Sequence, residues 1–154
     1  MKVELRKIKS TELFKAYKMH FKGFLPTFIN YRDKINPIFC TYPKFKKYFN
    51  HKDMYMYFIT FNELYVGQIW ILQKEDVCKL VRIFVLSKFQ NKGIATQAIL
   101  QAEQIFNHQN HWWLDTIKQE QNNRHLYEKF GYKPNGKEKV INKHMTIIEY
   151  EKGA

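Results

Sequence analysis

Residues 54–86 constrain the fold more than any other part of the chain. They read MYMYFITF, Asn62-Glu63, LYVGQIWILQ, Lys74-Glu75-Asp76 and VCKLVRIFVL, three β-branched and aromatic runs split by two short polar breaks. Breaks this short leave room only for tight turns, so the pattern predicts a meander of three antiparallel strands.

The flanking segments extend this nucleus. Val3, Leu5 and Ile8 alternate with charged residues as a half-buried strand does. Ser10 or Thr11 can cap a helix carrying Leu13, Tyr17, Phe21 and Phe24 on one side. Pro26, Pro37 and Pro43 then interrupt residues 25–43, which predicts a loop holding at most a turn of helix, with a short helix over 44–51. Beyond the meander, residues 90–107 carry an apolar helical stripe of Ile94, Ala98, Ile99, Ala102, Ile105 and Phe106. Residues 111–116 (HWWLDT) read as a strand. Residues 122–130 read as a helix with Leu126 and Phe130 as its core contact and Gly131 as its stop. Residues 132–133 and 143–150 close the chain as two strands. The order predicts an α+β domain with a mixed, mostly antiparallel sheet of six to seven strands flanked by helices. The strand-helix-strand unit over 77–116 should be a parallel crossover. No linker, repeat or low-complexity tract divides the 154 residues, which make a single domain over 1–154.

The net charge of +12 raises a nucleic-acid reading, but the lysines are scattered, and the densest group, Lys44-Phe45-Lys46-Lys47, fits the solvated face of a helix. A basic surface also attracts smaller polyanions, a phosphorylated cofactor among them. Cys40 and Cys78 show no disulfide or zinc spacing and fit reduced thiols; His108 and His111 sit among Asn and Gln and suggest no metal. No apolar run is long enough to cross a bilayer and the start resembles no signal peptide, so the expected location is the cytoplasm. The oligomeric state is expected to be monomer or homodimer.

Gly93 stands at the predicted start of a helix in FQNKGIATQAI. A helix N-terminus offers unpaired N–H groups to an anion, and glycine lets a ligand approach the backbone. Lys92 adds a charge and Thr96 a hydroxyl. Spacing alone leaves two readings open, a hinge or a ligand seat, because neither GxxxxGK[ST] nor GxGxxG is present.

Residues 82–95, RIFVLSKFQNKGIA, resemble the acetyl-coenzyme A segment of the GCN5-related N-acetyltransferase (GNAT) superfamily, with Gln90, Gly93 and Ala95 at the positions of its [QR]-x-x-G-x-[GA] loop. LYEKFGY (residues 126–132) is similar to the family's second hallmark, and YVGQIWI to its second and third strands. The resemblance implies an acyl-CoA N-acyltransferase fold and acetyl transfer from acetyl-CoA to an amine acceptor, with no metal. It implies that the backbone of Gln90, Asn91, Lys92, Gly93, Ile94 and Ala95, with Thr96 and Asn123 nearby, binds the cofactor, so that side-chain changes at Asn91 or Ile94 should matter little. It further implies that the main chain of Ile83, Phe84 and Val85 pairs with the pantetheine arm.

Tyr127 stands where the family carries the general acid for the departing thiolate. The base is less defined: Lys79 occupies the position where some relatives place a glutamate, and Glu120 and Asp115 remain as candidate bases or substrate contacts. Both also fit plain surface roles, and proton loss through water needs neither. Phe28 and Tyr31, in the proline-interrupted segment, are the candidate acceptor-binding residues. A non-catalytic acyl-CoA-binding domain of the same fold is the rival reading.

Overall fold

A computed structural model describes residues 2–108 and 110–153. The strands are β1 (Val3–Lys7), β2 (Met54–Phe61), β3 (Leu64–Lys74), β4 (Val77–Val85), β5 (His111–Ile117), β6 (Lys133–Asn142) and β7 (Met145–Lys152). The helices are α1 (Leu13–Tyr31), α2 (Tyr42–Asn50), α3 (Ile94–Ile105) and α4 (Gln121–Lys129). One seven-stranded sheet runs β1-β2-β3-β4-β5-β7-β6, with β4 and β5 parallel and every other pair antiparallel. The expected α+β architecture and the crossover between β4 and β5 are both present. No described helix is long and apolar enough to cross a membrane.

Period-two alternation divides the sheet side chains between two cores. On one face Ile59, Ile69, Leu80, Val85 and Leu114 meet Ile94, Ala98 and Ile99 of α3 and Tyr127 of α4. On the other, Met56, Phe58 and Trp70 meet Leu13 and Ala16 of α1 and Phe45 of α2. The lysines around Phe45 are exposed while Phe45 is buried, as expected for a solvated helix face.

Segment 25–43 departs from expectation, because α1 continues through Pro26 to Tyr31. A proline inside a helix costs about 3 kcal/mol through its lost hydrogen bond and ring clash. Packing opposes that cost: Phe24 and His20 lie against the Phe84 ring, and Phe28 meets Phe39 edge-on at 5.3 Å. A Cβ at Gly23 would come within 2.2 Å of the Phe84 ring, so glycine is what lets α1 lie on β4. The single helical turn expected in the segment is Pro37–Phe39, capped by Asn36.

Two other boundaries move. Strand β6 spans Lys133–Asn142, far beyond the two residues expected. Its charged sequence, Pro134 and the register shift after it suit an edge strand that resists further pairing. Helix α3 begins at Ile94, after a separate helical turn at Ser87–Phe89, rather than at Gln90.

Register explains the centre of the sheet. Trp70 pairs with Arg82 and Ile71 with Leu80, which leaves Val81 as an extra residue in β4. Before this bulge Cys78 and Leu80 face α3; after it Ile83 and Val85 do so, while Arg82 and Phe84 turn toward α1.

Candidate active site

Strands β4 and β5 pair only from Val77–His111 to Leu80–Leu114. Beyond those residues both strands continue unpaired with each other, β4 to Val85 and β5 to Ile117, so the sheet opens into a wedge. The N–H of Leu86 bonds the carbonyl of Val66 in β3 at 2.8 Å. By alternation, the N–H and C=O groups of Val85 and Ile83 turn toward the wedge and those of Phe84 belong to the β3 ladder. Of the three residues expected to offer main-chain partners, Phe84 is therefore engaged with β3. Its ring packs on the α1 side.

At the mouth of the wedge the chain turns sharply into α3. Asn91 (φ 62°) and Gly93 (φ 78°) are both left-handed. Turns of this kind aim successive N–H groups into one concavity. Gly93 is the N-cap of α3 and no side chain caps the helix, which leaves the N–H groups of its first turn for an outside acceptor. Nothing lies within 4 Å of the position a Gly93 Cβ would take. The left-handed φ accounts for glycine as a hinge, and the open space around it also suits close approach by a ligand. Gln90 holds the loop to the strand, its Nε2 donating to Val85 O at 2.9 Å. Lys92 is exposed, and Ala95 and Thr96 are half-buried. Ile94 is only 2% exposed and packs in the α3-side core, so the expectation that its side chain matters little is incorrect.

Tyr127 is the buried residue of α4, while Leu126 and Phe130 are only half-buried, a reversal of the expected core contact. Its ring meets Tyr132 and Tyr150 edge-on at 6.1 and 6.5 Å, in the core cluster that also holds Val85 and Ile94. Burial pushes its phenol up to about 12, so it stays protonated at neutral pH. Asn123 sits on the exposed first turn of α4.

The two carboxylates separate. Asp115 is exposed beside the end of β4–β5 pairing and faces Lys79 Nζ at 3.6 Å. Glu120, the N-cap of α4, accepts from Tyr31 Oη at 2.7 Å. Burial first, and then the Glu120 carboxylate, push Tyr31 up to about 12. Asn142 at the β6–β7 turn donates to Tyr31 O at 2.9 Å, so the end of α1, the start of α4 and the last hairpin meet at one point. Phe28 lies one turn before Tyr31, half-buried against Phe39.

Sequence reasoning passed over His20 and Arg82. His20 is buried, stacked on Trp70 at 5.0 Å, and its Nε2 lies 2.8 Å from Arg82 Nη1. Burial, with Arg82 alongside, brings its imidazole down to about 3. The available signal was an arginine in an otherwise apolar run, VRIFV.

No curated protein matches the sequence. Among solved structures the fold is similar to the PaiA N-acetyltransferase of Thermoplasma acidophilum in complex with coenzyme A, with TM-score 0.77, 17% identity and 100% of both chains covered. The spermidine N-acetyltransferase of Vibrio cholerae in complex with CoA and spermine gives TM-score 0.75 and 14% identity, over 97% of this chain and 94% of that one. The ribosomal-protein-S18-alanine N-acetyltransferase of Escherichia coli gives 0.73 and 15%, over 99% and 94%. The profile of the acetyltransferase (GNAT) family matches residues 20–132, a span that includes α1 from His20 onward, the Gly93 loop and Tyr127. The chain belongs to the acetyltransferase (GNAT) family.

Proposed function

We propose that the protein moves the acetyl group of acetyl-CoA to a primary amine by direct attack in a ternary complex. The observation that carries this reading is the wedge: an unpaired edge of β4 leading directly into an uncapped helix N-terminus through two left-handed residues. A pantetheine arm has amide groups that can pair with Ile83 and Val85 as an added strand would. The pyrophosphate then rests on N–H groups from Asn91 to Thr96, with Lys92 adding charge. Thr96 and Asn123 flank this path as further cofactor contacts.

The amine first loses a proton, and its lone pair attacks the thioester carbonyl. The C–N bond forms, the C–S bond breaks, the nitrogen gives its second proton to solvent, and the thiolate takes the phenolic proton of Tyr127, which solvent restores. A phenol protonated at neutral pH suits that donation. Glu120, held by Tyr31, receives the ammonium of the acceptor or its proton, and Phe28 forms the adjoining wall. Asp115 is the weaker candidate because Lys79 already faces it.

One observation favours the rival, binding without transfer: both candidate base carboxylates already have partners. Free-thiol release from acetyl-CoA across a panel of primary amines, alongside calorimetric binding of acetyl-CoA, separates the two. Thiol release dependent on an amine establishes transfer. Binding with no release from any amine establishes the rival, and absence of binding removes both.

A further inference from the structure

Arg82 is placed in the sheet beside the end of β4–β5 pairing, just after the Val81 bulge, and the bulge turns it toward the α1 face. Its guanidinium carbon lies 4.7 Å from the Trp70 ring centroid and 5.2 Å from that of Tyr48. His20 Nε2 faces Nη1, and Tyr48 and Cys40 complete the polar surroundings. Burial keeps the His20 imidazole neutral. Among the described residues no Asp or Glu lies within 4.0 Å of an Arg82 nitrogen. The carboxylates at this end of the sheet are committed to other groups, Asp115 to Lys79 and Glu120 to Tyr31.

A largely desolvated cation with no carboxylate beside it is costly, and aromatic faces return only part of that cost. If Arg82 served only to join α1, α2 and the sheet, an apolar side chain would do so with less desolvation. Its location points to a different use. Cys40 belongs to segment 25–43, the expected acceptor wall, and Arg82 lies beneath it beside the open part of β4.

We propose that Arg82 receives a carboxylate of the acceptor, so that the acceptor is an amine that also carries a carboxylate, an amino acid rather than a polyamine. The inference rests on the acetyl-transfer reading above. A guanidinium presents two parallel N–H donors to the two oxygens of a carboxylate, and the Trp70 and Tyr48 rings beside it help hold that fork in place.

The test is amine-dependent thiol release with glycine, L-phenylalanine and 4-aminobutanoate, each against its own amide, and with spermidine. Wild-type protein is expected to favour each acid over its amide by roughly 10- to 100-fold in kcat/KM, mainly through KM. Arg82→Gln is expected to bring that ratio close to one, and Arg82→Lys to leave part of it. The ratio is measured within a single protein preparation, so partial unfolding of a variant does not imitate the effect, and the wild-type comparison needs no variant. Equal or better use of amides or spermidine by the wild type overturns the proposal and leaves acetyl transfer standing. So does an acid-to-amide ratio that survives Arg82→Gln. Acetyl-CoA binding with no thiol release from any amine removes the transfer reading and this proposal together.

Discussion

Where β4 runs into α3, the groups turned outward are main-chain N–H and C=O from Ile83, Val85 and the Gly93 loop. Where it passes beneath α1 and α2, they are aromatic rings, an imidazole and a guanidinium. The first surface is nearly independent of side-chain identity and needs only a backbone shape. The second is made of side chains whose replacement would alter its chemistry without disturbing the first. A fold divided in this way can keep one cofactor while changing its acceptor.

Substitutions test that division, and the largest expected effect lies on the α3 side. Tyr127→Phe should lower the acetyl-transfer rate by roughly 100-fold or more, the usual worth of a positioned acid. Acetyl-CoA affinity should change little, and an unchanged kcat would remove Tyr127 from the chemistry. Next is Ile94→Ala, expected to cost about 2–4 kcal/mol in chemical denaturation because the side chain is buried in the α3-side core. A loss below about 1 kcal/mol would mean that the cofactor surface depends on backbone alone.

The surface beneath α1 and α2 should respond to pH. His20 has a folded-state value near 3 against 6.5 when unfolded. Its stabilisation is therefore complete above pH 6.5 and is lost as pH falls from there toward 3. At pH 5 the loss should be about 2 kcal/mol relative to neutral pH. His20→Gln, which never titrates, should flatten that part of the stability curve. Parallel curves for the two proteins would show that His20 is not the titrating group. The smallest effect is expected at Gly93→Ala. Alanine fits the open space but not the left-handed φ, which costs roughly 1 kcal/mol and about fivefold in acetyl-CoA affinity.

Element order was legible in the sequence because it depends on local periodicity: the meander, the Ile94–Ala98–Ala102 stripe and the Gly131 stop all stand where they were read. What failed locally failed through tertiary context. Packing of α1 on Phe84 carries the helix through Pro26, and pairing with β7 draws the charged sequence after Lys133 into a strand. The Gly93 loop was legible because its chemistry is contiguous. The meeting of Tyr31 with Glu120 was not, since 89 residues separate them. The surroundings of Arg82 were equally hidden, being drawn from α1, α2, β3 and the segment before α2.

The Val81 bulge has a consequence for how such a site can change. Side-chain direction in a strand is a matter of odd and even, and one surplus residue reverses the parity of everything after it. The Val81 bulge absorbs that surplus: without Val81, the residues Leu80, Arg82 and Ile83 would alternate regularly and keep the faces they have now, with Trp70 still opposite Arg82 and Ile71 opposite Leu80. One residue can therefore be lost at this point without turning either surface over. A further residue inserted into plain β4, with no bulge to take it up, would exchange the two faces beyond it, a reach that no point substitution has.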